Sequence, residues 1–357
     1  MTTIRLLADD LTGALDTMAE FAAINTGKLH AFWHGGTPDE WPPSAAVDTG
    51  TREAGADLAR SRVDMFAPML LEGDVAFKKV DSLMRGQTLA ELAALASRPE
   101  WESCVFAPAF PAQGRITRGG QQFQQAGNDW YPVGPDLVQT LQARHGTPGE
   151  TLGIGITVFD AETDAELEAI VASAQDRRVL WCGTAGLARA LAGVDAACSW
   201  LLPRPVLGLF GSDQPATFAQ LQACTPHWLH WAEHTPHDLA ARLADGLALV
   251  SVDLPPGLVR DDAANRIGRA LYRLATDVPR PGTLLVAGGE TLRGLCLALG
   301  AESLEVQGRI LPGLPRAILR GGAWDGVAIV SKSGAFGPPS LLRDLLARNG
   351  FFPERTI

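Results

Sequence analysis

The feature that most constrains this chain is a repeated three-part pattern: a short apolar run, a cluster of Gly, Asp, Ser or Thr, and then an Ala/Leu-rich stretch with helical spacing. It recurs in IRLLADDLTGALDTMAEFAAI, VAFKKVDSLMRGQTLAELAALA, RVLWCGTAGLARALAG, VLGLFGSDQPATFAQLQAC, TLLVAGGETLRGLCLALG and GVAIVSKSGAFGPPSLLRDLLA. Strands alternating with helices in this way specify an α/β fold with mostly parallel sheets flanked by helices. Almost every polar cluster lies just after a strand and just before a helix. In open α/β sheets ligands bind at such carboxyl ends of strands, where helix N-termini present free N–H groups.

The 357 residues exceed the roughly 250 to 300 at which a single hydrophobic core stops growing. Two domains are therefore expected, at 1–202 and 203–357, each with its own sheet and with the active site in the cleft between them. The boundary falls in SWLLPRPVLG, where Pro203 and Pro205 precede a fresh strand beginning near Val206. Residues 110–150 are rich in Gly, Gln and Pro without clear periodicity and read as a long loop excursion of the kind that often carries function.

A hydrophobic content of 46% with 20% charged residues matches an ordinary folded protein. The longest apolar stretches, such as LGLFG and TLLVAGG, fall far short of the roughly 18 residues of a membrane span. TTIRLLADD carries no apolar signal core, and the five cysteines are scattered and never form a CxxC pair, as expected of reduced thiols. A cytoplasmic location is expected. The formal net charge of −10 gives no general attraction to nucleic acid or anionic lipid, so neither is expected as a partner. An anionic ligand must instead meet a local basic or amide-lined pocket.

Several strand ends offer one. Asp9 and Asp10 stand together before a helix start, where adjacent carboxylates can bind hydroxyls, hold a metal through water or serve as a general base; capping alone needs only one of them. In KKVDS, alternation puts Lys79 and Asp81 on one side and Lys78 on the other. A cation, a carboxylate and the Ser82 hydroxyl at one strand end suit a polyhydroxy acid, with Lys79 or Arg85 meeting its carboxylate. Arg52, after Asp48-Thr49-Gly50-Thr51, can clamp a carboxylate bidentately; a turn with a helix cap is the competing reading. Further along, glycine turns follow three strands, at Gly211-Ser212, at Gly288-Gly289-Glu290-Thr291 and at Ser331-Lys332-Ser333-Gly334 with Gly337. Together they make a phosphate cradle plausible, although none is a Walker loop or a dinucleotide fingerprint. The histidines of HWLHWAEHTPH, His227, His230, His234 and His237, are spaced like metal ligands, but Pro226 and Pro236 break the helix that would align them, and a strand and loop are expected there.

Taken in order, ADDLTGALD, VDTGTR, KKVDSLMRG, PAFPAQGRITRGG, GSDQPATFAQL, GGETLRGLCLALG and VSKSGAFG resemble the four-carbon acid sugar kinases over nearly the whole chain. The resemblance implies an N-terminal acid-sugar domain, a C-terminal ATP domain, and Mg²⁺-dependent phosphoryl transfer from ATP to a hydroxyl of a tetronate such as threonate, erythronate or a 3-oxo-tetronate. By motif position ATP contacts fall on Ser212, Gly288, Gly289, Glu290, Thr291 and Gly334. Sugar-acid contacts fall on Asp10, Arg52, Lys79, Asp81 and Arg85, beside Asp9 and Ser82, with Asp10 ahead of Asp81 as the base. The family usually has Asp at the position of Glu290, TKPG in place of Ser331 to Gly334, Asp at Gly50 and Thr at Leu83. A noncatalytic sugar-acid or nucleotide sensor remains an alternative, and a nicotinamide-dependent oxidoreductase a weaker one. A homodimer is the candidate assembly.

Overall fold

Each apolar run of the repeated pattern is a short strand, and the Ala/Leu-rich stretches are the helices between them. The structure is a computed structural model that describes residues 2–25, 27–174, 178–211, 214–231, 235–252 and 260–352, with side chains in the helix starting at Arg260 described from Arg266 onward. The chain divides into two units, Met1–Ala197 and Cys198–Ile357.

The first unit begins with β1 (Ile4–Ala8), α1 (Leu11–Glu20), β2 (Leu29–Trp33), β3 (Ser44–Asp48), α2 (Ala56–Leu70), β4 (Val75–Lys79) and α3 (Thr88–Ala96). It continues through β5 (Ser103–Ala107), β6 (Arg115–Arg118), β7 (Gln121–Ala126), β8 (Asp129–Val133), α4 (Leu137–Leu141), β9 (Arg144–Gly146), β10 (Gly155–Phe159), α5 (Asp164–Ala172), β11 (Val179–Gly183) and α6 (Ala185–Ala192). Apart from β6 to β8, these strands form a parallel sheet in the order β2-β3-β1-β4-β11-β5-β10-β9. IRLLA, SAAVD, SCVFA and VLWCG are buried at every position, as parallel strands covered by helices on both faces must be. Helix starts are fixed locally: the Asp10 side chain accepts from Gly13 N–H, and Thr163 forms a reciprocal capping box with Glu166.

The topology explains where a site can form. From β1 the chain goes to β2 at the edge, returns as β3 beside β1, and then crosses to β4 on the other side of β1. The order therefore reverses at β1, and the loops leaving the carboxyl ends of β1, β3 and β4 surround a crevice.

The second unit runs β12 (Val206–Phe210), α7 (Pro215–Gln222), β13 (Trp228–His230), α8 (Thr235–Ala244), β14 (Leu247–Ser251), α9 (Arg260–Asp277), β15 (Thr283–Ala287), α10 (Gly289–Leu299), β16 (Ser303–Leu311), β17 (Leu314–Arg320), β18 (Ala328–Lys332) and α11 (Leu341–Ala347). Its order is β13-β14-β12-β15-β18-β17-β16, parallel as far as β18 and antiparallel through the β16–β17 hairpin. The first four strands repeat the winding of the first unit: out to the edge strand β13, back as β14, then across to β15. A second switch point thus falls between β12 and β15. In the histidine-rich segment, β13 covers Trp228–His230, and His234 lies outside the described residues.

Residues 110–150 correct the sequence reading. They are no loop excursion: β6, β7 and β8 form an antiparallel meander, followed by α4 and β9. QQFQQA is mostly half-buried and DWYPV mostly exposed, so they carry little of the apolar alternation by which strands are recognised. Their turns rest on Gly119, Gly120 and Gly127, which have positive φ. Among the described residues, no helix is long and apolar enough to cross a membrane.

Candidate functional site

In the first unit the three loops of the switch point are locked together by one arginine. Arg52, from the loop after β3, donates through Nε and Nη2 to Asp9, and through Nη2 to Asp10 Oδ1 at 3.0 Å. Its Nη1 lies 3.0 Å from Asp81 Oδ2. The loops after β1 and β4 are thereby bridged to the loop after β3. Arg62 on α2 supports this third loop, donating to the carbonyls of Thr49 and Gly50 at 3.0 and 2.8 Å.

The three carboxylates differ in what they have left to offer. Asp9 is buried and uses both oxygens on Arg52. Asp81 is equally committed: Oδ1 accepts from Leu83 N–H at 2.7 Å, and Oδ2 accepts from Arg85 Nε at 2.8 Å while facing Arg52. Asp10 is partly exposed and, among the described residues, uses only Oδ1, for Gly13 N–H at 2.9 Å and Arg52. Its second oxygen is the uncommitted carboxylate oxygen of the cluster.

Burial opposes ionisation of Asp9, but Arg52, aided by Lys78 and Lys79, overrides it and holds the carboxyl well below the usual range. For Arg52, burial works against the charge while Asp10, Asp9 and Asp81 hold the guanidinium well above its ordinary value. Because the folded-state value of Asp9 lies below the unfolded one, its stabilising contribution is present at neutral pH. It is lost as pH falls below the ordinary carboxylate range.

Lys78 and Lys79 part as strand alternation requires. Lys78 turns to Glu91 on α3, at 2.6 Å and with both side chains fully buried. Lys79 is buried on the other side, donating to Val80 O at 2.6 Å. A Cβ on Gly13 would come 2.6 Å from Asp10 Oδ1 and 3.2 Å from Lys79 Nζ, so a glycine is needed where α1 passes these two groups. Ser82 sits in the turn after Asp81, its carbonyl held by Gln122 Nε2 at 3.1 Å.

Two contributors escaped the sequence reading although the first lies inside PAFPAQGRITRGG. Arg115 opens β6 after Gly114, a left-handed residue. Burial lowers its guanidinium pKa, with Asp81 acting to raise it and Arg85 to lower it further. Its Nε is buried without a hydrogen-bond partner among the described residues. Gln122, fully buried in β7, donates to Ser82 and Pro108 and accepts from Thr117. The available signal was an arginine directly after a glycine turn in a segment that has no reason to be basic.

In the second unit the ends of β12 and β15 meet at Thr291, and the end of β18 joins them through Gly288. A Cβ on Gly211, after β12, would lie 2.4 Å from Thr291 Oγ1, and one on Gly288, after β15, 3.5 Å from it. Gly288 has φ +101° and donates to Lys332 O at the end of β18, 3.0 Å away. Gly289 opens α10, so Gly288, Gly289 and Thr291 line the β12–β15 switch point. Glu290 turns aside to Arg293 at 2.6 Å and is largely exposed. Gly334 follows β18, its carbonyl held by Thr217 Oγ1 at 2.6 Å. Ser212 lies outside the described residues.

Residues 4–148 match the family model described as a sugar-binding N-terminal domain, and residues 250–342 match a nucleotide-binding C-terminal domain. A D-threonate kinase of Cupriavidus necator is 30% identical, over 94% of this chain and 95% of that protein. A 3-oxo-tetronate kinase of Pseudomonas savastanoi pv. phaseolicola is 26% identical over 75% of this chain and 76% of its own length. A crystal structure from Salmonella typhimurium LT2 shares the fold with a TM-score of 0.74 at 21% identity, covering 96% of this chain and 98% of that one.

Proposed function

The chain belongs to the four-carbon acid sugar kinase family, and from that membership we propose that it transfers the γ-phosphoryl group of ATP to a hydroxyl of a four-carbon sugar acid. D-Threonate is the favoured acceptor, because a D-threonate kinase matches 94% of the chain at 30% identity, whereas a D-erythronate kinase matches the same share at 25% and the 3-oxo-tetronate kinase matches three quarters of it. The observation that carries the mechanism is the Asp9-Asp10-Arg52-Asp81 cluster at the first switch point. One carboxylate oxygen stands open among groups otherwise fixed by ion pairs.

Phosphoryl transfer depends on positioning and on neutralising charge more than on covalent chemistry. In the first unit Asp10 accepts the proton of the attacking hydroxyl, while Asp9 and Asp81 hold Arg52 rigid behind it. Lys79, Arg85, Arg115 and Arg52 outnumber the three carboxylates, leaving the pocket a surplus of positive charge for a sugar carboxylate. With Arg52 spent on the protein's own groups, Lys79, Arg85 and Arg115 are the cations with donors to spare, Lys79 using one of its three on Val80 O. Ser82, beside Asp81, offers a hydroxyl to the polyol.

The nucleotide is assigned to the second unit, with its phosphates at Gly288, Gly289, Thr291 and Gly334 and at Ser212 by motif position. Backbone N–H groups and the α10 N-terminus supply its partial positive charge. Mg²⁺ prefers phosphate oxygens, water and one or two carboxylates to a protein cage. Glu290, exposed on the first turn of α10, fits that requirement and would hold the ion, through water. When bound, the ion supplies neutralisation of the phosphate charge.

The function is tested by ADP release with D-threonate, erythronate and 3-oxo-tetronate as acceptors. Release should depend on the acid and be fastest with D-threonate; a rate that ignores added acid would refute transfer to it. Replacing Arg115 with Met should raise KM for the acid about tenfold, the cost of one charge-assisted contact, with kcat little changed. A wild-type KM in that variant removes Arg115 from acid binding.

A further inference from the structure

Lys332 is the last residue of β18 and is 1% exposed. Its ammonium reaches no carboxylate among the described residues. It donates instead to Thr217 Oγ1 at 3.0 Å and to the carbonyls of Ser333, Gly334 and Phe336 at 3.0, 3.3 and 3.2 Å. Gln220 Nε2, from the same helix as Thr217, gathers the next carbonyls, of Phe336, Gly337 and Pro338, at 3.0 to 3.1 Å. The loop after β18 is therefore wrapped, carbonyls inward, around two side-chain nitrogens.

In a planar trans peptide the N–H points opposite to the C=O. With the carbonyls of Ser333, Gly334 and Phe336 turned to the ammonium, the N–H groups of Gly334, Ala335 and Gly337 point away from it. None of the three donates to an acceptor among the described residues, while Phe336 N–H closes the turn onto Ser333 O at 3.0 Å. Successive free N–H groups on one side of a loop form an anion-binding concavity. A buried cation lacking a carboxylate is costly by itself, and an anion on the far side of its carbonyl ring relieves that cost. Burial pushes the Lys332 ammonium down to about 8, so it is still mostly charged at pH 7.

We propose that Lys332 is a positioning residue: from behind, and without touching the phosphate, it holds the glycine turn already assigned to the nucleotide in the one form that turns the N–H groups of Gly334, Ala335 and Gly337 toward a phosphate. The proposal rests on the assignment of the nucleotide to the second unit. It explains why a lysine in a kinase's glycine turn points inward, where a phosphate-contacting lysine would point out.

The test is calorimetric titration of the full-length protein with ATP and, separately, with adenosine. The phosphate-dependent gain is the ratio of the two affinities. In Lys332→Met this gain should fall about tenfold or more, as expected when hydrogen bonds to a charged group are lost, with adenosine and sugar-acid affinities unchanged. Thr217→Val removes the hydroxyl that holds Gly334 O and Lys332, and should lower the same ratio severalfold without removing the charge; it carries the test should Lys332→Met not fold. A wild-type ratio in the folded variants overturns the role of Lys332 alone. Absence of ATP binding by the wild-type protein overturns the nucleotide assignment and this proposal with it.

Discussion

Replacement of Asp10 by Asn is expected to lower kcat by about 10²- to 10⁴-fold, the usual contribution of a positioned general base, with KM for ATP and for the sugar acid near wild type. The substitution is unusually clean. Asn keeps an oxygen for the Gly13 N–H and for Arg52, the two contacts Asp10 Oδ1 makes, and Asn caps a helix as well as Asp does. What it loses is the second carboxylate oxygen, which has no partner among the described residues. Asp81→Asn is a useful contrast: both its oxygens are engaged, by Leu83, Arg85 and Arg52. That variant should lose stability and acid affinity along with turnover. Steady-state kinetics on the two separate the base from the scaffold, and an unchanged kcat in Asp10→Asn would remove Asp10 as the base.

The largest effect on stability is expected at the buried Lys78–Glu91 pair. Both side chains are 0% exposed, 2.6 Å apart, and they tie β4 to α3 directly beneath the strand end that carries Lys79 and Asp81. Removing one partner strands a charge in the core, at a cost of about 3 to 5 kcal/mol, against a total of about 5 to 15 kcal/mol for a typical domain. Lys78→Met alone should therefore lower the urea midpoint strongly. The double variant Lys78→Met, Glu91→Leu replaces the pair with apolar groups of similar size and should recover most of the loss. Since neither residue faces the Asp10 side of the sheet, the double variant should also keep its turnover. A single variant as stable as wild type would mean that the pair is not buried as described.

How much of this was legible in the sequence follows from the kind of information each feature needs. The parallel part of each sheet was legible because buried strands such as VAFKK and TLLVA sit between helices at regular spacing. The divergence of Lys78 and Lys79 was legible from the twofold period of a strand. The carboxylates and Arg52 could be singled out one loop at a time, but the bridging of Asp9, Asp10 and Asp81 by one guanidinium depends on β3 and β4 flanking β1, which no local pattern states. The β6–β8 meander was misread because its strands are held by glycine turns and hydrogen bonds more than by burial. Arg115 went unnoticed with it. The inward turn of Lys332 was also invisible, since strand alternation gives the face a side chain leaves from and not the carbonyls its amine returns to.

The most direct measurement of the central claim is to follow the label from [γ-³²P]ATP in the presence of D-threonate and Mg²⁺ and to separate sugar phosphate, inorganic phosphate and protein. The expected result is label in an acid-stable phosphate ester of the four-carbon acid, in step with ADP formed, and its loss in Asp10→Asn. Label appearing only as inorganic phosphate, or remaining on the protein, for every four-carbon acid supplied would contradict direct transfer to a sugar-acid hydroxyl.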